Sequence, residues 1–158
     1  MEQKGQIRAR LYLVQHGEAT SPEVDTNRPL TGKGREEVAA TAAFIKGSGP
    51  QIDEVWHSSK LRARQTADII TAALGITKES KEKKFINPND PVAPVAEVIN
   101  MHDKNILIAG HLPFLARLAS LLLTGAENGT PVTFRQGGAA CLEKREAGWT
   151  LSPARSNL

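Results

Sequence analysis

Three of the four histidines stand directly after short apolar stretches of the chain, at points where β-strands would end. They are His16, His57 and His111. In an open α/β sheet, ligands bind beyond the carboxyl ends of the strands. Two arginines, Arg28 and Arg62, follow the first two of these points and can reach the same sheet edge. Imidazole is a nucleophile or base and arginine binds phosphate through paired hydrogen bonds, so these residue types indicate phosphoryl chemistry.

The apolar pattern predicts the strands that would position these side chains. Residues 9–15, 52–57 and 105–110 have the composition of short buried strands. Further short strand-like runs occur near the end of the chain: 131–135, 139–143 and 148–151. Because the earlier strands alternate with helical patterns, we expect an α/β fold with three layers, helix–sheet–helix. The central sheet should be largely parallel, with antiparallel strands at one edge.

Helices are expected after each of the first strands. Thr31 is a suitable N-cap for the first helix, and Ser58 and Ser59 for the second. Residues 76–90 contain Asn-Pro and Asp-Pro turn signals and should be irregular, whereas 92–101 has a helical pattern. A fourth, very apolar helix should begin at Pro113, since proline is favoured in the first turn.

The composition indicates one globular domain, residues 1–158. Hydrophobic residues make up 40% and aromatic residues 4%, so the core must be aliphatic. The formal charge of +3 is a small basic excess. Its densest cluster, residues 78–84, also contains two glutamates and is typical of a solvated surface. We therefore expect no nucleic-acid partner.

The sequence also favours a cytoplasmic protein with no membrane contact. Cys141 is the only cysteine, so no internal disulfide can form. The first ten residues contain no apolar core of the kind found in signal peptides. The most apolar segment, residues 112–123, includes Arg117 and is too short to span a bilayer.

Four short motifs resemble, in order, the landmarks of the histidine phosphatase (phosphoglycerate mutase-like) superfamily. They are LVQHGEA, RPLTGKG, SSKLRARQT and AGHLP. Within that superfamily, the chain looks most like the short bacterial phosphohistidine phosphatases. The resemblance extends from Leu11 to about Pro153, which is nearly the whole chain. Each motif alone is weak, but four in the right order at suitable distances are specific.

The resemblance implies a mechanism and a set of site residues. His16 would be the nucleophile that takes the phosphoryl group, and water would then release it. Arg28, Arg62 and His111 would bind the phosphoryl oxygens and stabilise the transition state. Gly17 would allow a tight turn beside the ligand. No metal or organic cofactor is implied, and a phosphate or sulfate anion is expected to bind at the site.

Gln15 is the departure from the pattern, because the superfamily normally has arginine directly before the nucleophile. A glutamine donates hydrogen bonds through its amide but lacks the charge and the bidentate fork of arginine. A hydrogen bond to a charged group contributes about 1.5–3 kcal/mol, roughly twice a neutral one. We expect weaker phosphate binding at a working site. The alternative is that the substitution has abolished catalysis.

The general acid and the substrate are less sharply indicated. Asp90 and Glu18 are candidate acids, although each is also an ordinary turn or surface residue. The long insertion and the glutamate motif of the mutase relatives are absent, which argues against a sugar-phosphate mutase. An open site favours phosphohistidine on a signalling or phosphotransfer protein, since imidazole is an easier leaving group than an alkoxide.

Three other functions remain open at this point. The chain could be a phosphomonoesterase acting on small phosphate esters, or a noncatalytic module that binds phosphoryl groups. A zinc site formed by His16, His57, His111 and Glu18 is the third alternative. The sequence contains no closely spaced ligand pair, and the neighbouring arginines would repel a cation.

Overall fold

The apolar stretches form the centre of a mixed sheet in the computed structural model of the protein, which describes residues 5–158. The first four residues of the N-terminal stretch considered above lie outside the described residues. The sheet contains six strands: β1 (Ala9–Gln15), β2 (Glu54–His57), β3 (Lys81–Glu82), β4 (Ile106–Gly110), β5 (Ala139–Arg145) and β6 (Gly148–Leu151). The α-helices are α1 (Gly32–Gly47), α2 (Leu61–Leu74), α3 (Ala93–Met101) and α4 (Phe114–Thr124).

The strand order is β3-β2-β4-β1-β5-β6. Strands β1 to β4 run parallel to one another, and β5 and β6 add an antiparallel edge beside β1. This arrangement confirms the predicted three-layer α/β fold with a largely parallel sheet. Because β1 lies between β4 and β5, its carboxyl end is in the middle of the sheet edge.

Successive side chains of the central strands enter two separate cores. Leu11 and Leu13 of β1 pack with α3 and α4, whereas Tyr12 and Val14 pack with α1 and α2. All five residues of β4 are buried. Strands covered on both faces read as continuous apolar runs, which explains the pattern in the sequence. Burial of each such aliphatic side chain stabilises the folded protein by roughly 1.5–3 kcal/mol. The two cores therefore hold the ends of the central strands in place.

Most predicted helix boundaries agree with the structure. The Thr31 side chain accepts a hydrogen bond from the Gly34 amide at 3.0 Å, and the helix predicted over 92–101 is α3. Pro113 is the residue that immediately precedes α4. Within residues 5–158, no helix is both long and apolar enough to cross a membrane.

The predicted caps of α2 are wrong. The N-cap is Lys60, without a side-chain cap hydrogen bond. The Ser58 hydroxyl is instead hydrogen-bonded to the His111 ring, and Ser59 donates to the Asn87 side chain at 3.4 Å. Both serines therefore have tertiary partners that local sequence cannot show.

Two strand predictions also need correction. Residues 131–135 form no strand, and β5 pairs with β1 and β6. The segment 76–90, expected to be irregular, contains the two-residue strand β3 at the outer edge of the sheet. Strand pairing depends on tertiary structure, which local composition does not report.

The loop after β1 packs closely against the first turn of α1. A Cβ atom on Gly34 would overlap the backbone of Glu18, and one on Gly17 would lie 2.6 Å from the Gly34 carbonyl oxygen. Only glycines allow this approach, so the two positions fix the loop that begins with His16 against the helix.

We predict that Gly34→Ala destabilises the protein by about 2 kcal/mol or more, because the added methyl group meets backbone that cannot rotate away. Gly47→Ala is the matched control, since a Cβ at that position of α1 has no neighbour within 4 Å. The control should be neutral or slightly stabilising. Urea unfolding measures both changes, and equal stability of the two variants would contradict the close approach.

Candidate active site

The carboxyl ends of β1 and β4 bring two of the three histidines together. The His16 amide donates a hydrogen bond to the Gly110 carbonyl at 3.0 Å, which joins the strand ends. The rings of His16 and His111 meet edge to face, with centroids 5.1 Å apart. His57 is different: it is buried, and its Nδ1 donates to the Ser58 carbonyl at 2.8 Å. The sequence prediction thus holds for a pair of histidines at this edge, with the third packed beneath it.

One ring nitrogen of His16 is hydrogen-bonded to the backbone. Its Nδ1 lies 2.7 Å from the Gly17 carbonyl oxygen, which can only accept a hydrogen bond. Nδ1 must therefore carry the proton, and Nε2 of the neutral ring keeps its lone pair. Burial and the positive charges of Arg62 and Arg28 lower the pKa of His16, against the opposing effect of the Gly17 carbonyl. His16 is therefore an uncharged imidazole at neutral pH, with an unprotonated Nε2.

His111 is held by Ser58, which is fully buried. The Ser58 hydroxyl lies 2.6 Å from Nε2 of His111, and it also accepts a hydrogen bond from the Lys60 amide at 3.3 Å. Because the described residues offer the Ser58 hydroxyl hydrogen no other acceptor, both groups are satisfied when Ser58 donates to Nε2. The proton of the neutral ring then lies on Nδ1, which is buried and has no partner among the described residues. A substrate oxygen could accept this unused hydrogen bond.

The environment strongly favours the neutral form of His111. Burial lowers its pKa to about 3, and the charges of His16, Arg62, Lys60 and Arg28 act in the same direction. His111 is therefore a neutral hydrogen-bond donor across the physiological range, rather than a second cation.

Arg28 and Arg62 face each other across an open cleft. Arg62 lies in the first turn of α2, and its buried Nε has no partner within the described chain. Arg28 has a left-handed backbone, with φ of 50°, and its Nε donates to the Thr20 carbonyl at 3.0 Å. This bond ties the Arg28 side chain to the other side of the same loop. Burial and the charge of Arg28 lower the pKa of Arg62.

The cleft has a volume of about 650 Å³ and is predominantly cationic and polar. Its lining residues are Thr26, Asn27, Arg28, Ser59, Lys60, Leu61 and Arg62. None of the described residues that line it is acidic, and neither arginine forms an ion pair within residues 5–158. His16 and His111 are not among the residues that line the cleft, but the charges of Arg28 and Arg62 lower the pKa of both rings, so the cations lie near them. Cations without ion pairs near two neutral imidazoles form a site suited to a phosphoryl anion.

Gln15 lies at the end of β1, immediately before His16. Its backbone is bonded to Gly137 and Gly138 at the start of β5. Its side-chain Oε1 is buried without a partner among the described residues. The residue directly before His16 therefore carries an amide and no charge.

Both candidate acids, Glu18 and Asp90, are hydrogen-bonded to residues other than His16 and His111. The Glu18 carboxylate accepts from the Thr31 hydroxyl at 2.8 Å and lies 3.8 Å from the Lys33 ammonium, at the start of α1. The Asp90 carboxylate accepts from the Asn87 amide at 2.9 Å and closes a turn. Within residues 5–158, no three His, Cys, Asp or Glu side chains are grouped to hold a metal ion.

Sequence reasoning missed two contacts that position the site. Thr66 on α2 accepts from the Gly17 amide at 3.3 Å and donates to the Arg62 carbonyl at 2.8 Å. It therefore connects the loop that follows β1 to the helix that carries Arg62. Ser58 was considered only as a cap. A polar residue directly after a buried strand was the available signal for Ser58, but no signal indicated Thr66.

Comparison with known proteins agrees with this geometry. The family model described as the histidine phosphatase superfamily (branch 1) matches residues 11–84. Phosphohistidine phosphatase SixA of Escherichia coli (strain K12) is 27% identical and aligns with 94% of this chain and 97% of its own length. The matched segment is slightly less than half of the chain, and the similarity to SixA extends over nearly all of it. The fold and the comparisons indicate a hydrolase of the histidine phosphatase type.

Two further relatives of this superfamily define how far the likeness extends. The solved structure of protein histidine phosphatase SixA complexed with tungstate gives a TM-score of 0.79 at 26% identity, over 90% of this chain and 94% of that chain. The serine/threonine-protein phosphatase PGAM5 of Homo sapiens is 30% identical, but over only 57% of this chain and 33% of that protein. The likeness to SixA thus spans both chains, whereas the likeness to PGAM5 is partial.

We predict that Ser58→Ala removes the preference of His111 for a single tautomer. Without the hydroxyl donor, the proton should redistribute between Nδ1 and Nε2, and phosphatase activity should fall about tenfold, as for one lost hydrogen bond. Ser59→Ala is the control for the tautomer measurement, because the Ser59 hydroxyl is hydrogen-bonded to Asn87 and not to His111. Imidazole 15N NMR reads the tautomer directly. An unchanged His111 spectrum in Ser58→Ala would show that the serine does not set it.

A second prediction follows from the lowered pKa of His111. Its folded-state pKa of about 3 lies below the ordinary 6.5, so the unfolded state binds the proton more readily between these values. The group therefore reduces stability as the pH falls through this range, by up to about 1.4 kcal/mol per pH unit. His111→Gln should have a shallower decline in unfolding free energy from pH 6.5 to 4 than the wild type. Parallel pH profiles, measured in buffers without phosphate, would contradict this.

Proposed function

We propose that this protein is a cofactor-independent phosphatase that carries the phosphoryl group on His16 and removes it from phosphohistidine on a signalling or phosphotransfer protein. The observation that carries the proposal is the state of His16. Its Nδ1–H is held by the Gly17 carbonyl, so Nε2 keeps a lone pair, and the charges of Arg62 and Arg28, which line the cleft, act on the ring.

In the first step, the Nε2 lone pair of His16 attacks the phosphorus and the P–N bond of the substrate breaks. The electron pair of that bond stays on the leaving imidazole nitrogen, which takes up a proton from solvent. His16 then carries the phosphoryl group on Nε2, the proton on Nδ1 and a positive charge. The Gly17 carbonyl stabilises that charge through the same hydrogen bond.

In the second step, water attacks the phosphorus and the P–Nε2 bond breaks. The electron pair returns to the His16 ring, which becomes neutral again, and the water proton is released with inorganic phosphate. In both steps, negative charge on the phosphoryl oxygens is stabilised by Arg28 and Arg62 and by the Nδ1–H of His111. These groups are in place before the reaction, so little reorganisation is needed.

The arrangement of acids supports phosphohistidine as the substrate class. The carboxylates of Glu18 and Asp90 are bonded to neighbouring groups, and neither is hydrogen-bonded to a site histidine. Imidazole departs with less help from a general acid than an alkoxide does. The cleft is also open enough for a histidine that protrudes from another protein. The full-length similarity to phosphohistidine phosphatase SixA is consistent with this choice.

Two alternatives are distinguished by experiment. A phosphomonoesterase would turn over small phosphate esters far better than any phosphoprotein, and the partial similarity to a serine/threonine-protein phosphatase favours testing phosphoesters. A noncatalytic module is the second alternative, favoured by the neutral Gln15. It would bind phosphate without turnover and would not become labelled on His16.

We predict that the wild type releases phosphate from a histidine-phosphorylated phosphotransfer domain, and that His16→Ala lowers the rate by at least about 10³-fold. His102→Ala is the control, because that histidine is exposed at the end of α3. Acid-labile 32P label on the wild type, absent from His16→Ala, would identify the intermediate. Turnover that persists in His16→Ala would overturn the proposed nucleophile.

A further inference from the structure

Lys60 lies on the rim of the cleft and has no role in the mechanism above. It is the residue directly before α2, and its backbone is fixed by the bond from its amide to Ser58. Its side chain is exposed and forms no hydrogen bond or ion pair within the described part of the chain. It lines the same cleft as Arg28 and Arg62.

The charge of Lys60 acts on one side of the site. It contributes to lowering the pKa of His111, after burial, His16 and Arg62 and ahead of Arg28. The charges that lower the pKa of His16 are those of Arg62 and Arg28. Lys60 therefore lines the cleft close enough to His111 for its charge to act on that ring.

Three cations converge on a cleft whose described lining contains no acidic residue. Their mutual repulsion destabilises the empty cleft, and an anion bound between them would relieve it. Gln15, directly before His16, contributes no charge. The chain thus has a cation that lines the cleft and a neutral amide next to His16.

We propose that Lys60 is a third phosphoryl-binding cation, whose ammonium group contacts a phosphoryl oxygen on the His111 side and supplies the positive charge that is missing at Gln15. This inference rests on the proposed function. It adds to that function a specific residue, and it explains how the site could tolerate a glutamine beside the nucleophile.

The first test uses inorganic phosphate as the probe, with calorimetry for binding and phosphohistidine turnover for activity. Lys60→Met should weaken phosphate binding about tenfold and lower kcat/KM by a similar factor, because one charge-assisted contact is lost. Lys60→Arg should retain most of both. Lys46→Met is the matched control, since Lys46 is an exposed lysine in the last turn of α1, at the end away from the cleft.

The second test adds Gln15→Arg. In the Lys60→Met background, this change should restore phosphate affinity towards that of the wild type, because it returns a cation to the phosphoryl group from the other side. If Gln15→Arg does not raise the phosphate affinity of Lys60→Met, the inference that Lys60 supplies the charge missing at Gln15 is wrong.

The outcomes separate this inference from the proposed function. If the wild type neither binds phosphate nor releases it from phosphohistidine, the proposed function fails. If the wild type does both and Lys60→Met is unchanged, only the role of Lys60 fails. If Lys60→Met loses turnover of a phosphoprotein but keeps full affinity for phosphate, the lysine contacts the partner's surface, and its assignment to the phosphoryl group is wrong.

Discussion

The hydrogen bond between the His16 amide and the Gly110 carbonyl joins the ends of two parallel strands, and the arrangement of the site depends on it. The carboxyl ends of parallel strands lie at the same edge of a sheet. This bond therefore places the backbones of His16 and His111 side by side at that edge. The cores on both faces make the strand ends rigid. The loop after His16 can then close on α1 only through the contact between Gly17 and Gly34.

The same cause lowers the pKa values of His16, His111 and Arg62. Each is partly or fully removed from water, and each feels positive charge from its neighbours. A fold selected only for stability would place a carboxylate among them. The described residues of the cleft include none, so the site is destabilised in a way that an anion would correct. The uncharged state of both histidines, which nucleophilic attack and hydrogen-bond donation require, follows from the same arrangement.

The sequence predicted the parts of the structure that depend on local pattern. Apolar runs located β1, β2 and β4, and the rule for strand ends then brought His16 and His111 to one edge. The prediction from sequence was wrong where a residue's hydrogen-bond or strand partner is distant in the chain. The hydroxyl of Ser58 was assigned to a helix cap because its bond to His111, 53 residues away, is not visible locally. Residues 131–135 have strand composition, but the neighbours of β5 in the sheet are β1 and β6. Lys60 was unremarkable until the fold placed it on the cleft.

The bonds of the acidic residues bear on which substrates this site could process. The Glu18 carboxylate is hydrogen-bonded to Thr31 at the start of α1, and the Asp90 carboxylate accepts from the Asn87 amide in a turn, so neither is hydrogen-bonded to His16 or His111. The groups that remain at the edge are cations and neutral imidazoles, which stabilise charge on the phosphoryl oxygens but transfer no carboxylic proton. Such a site lowers the barrier for leaving groups that depart readily and does less for an alkoxide. The proposed phosphohistidine substrate places its imidazole in that favourable class, and the neutral Gln15 is then less damaging than it would be for a phosphoester.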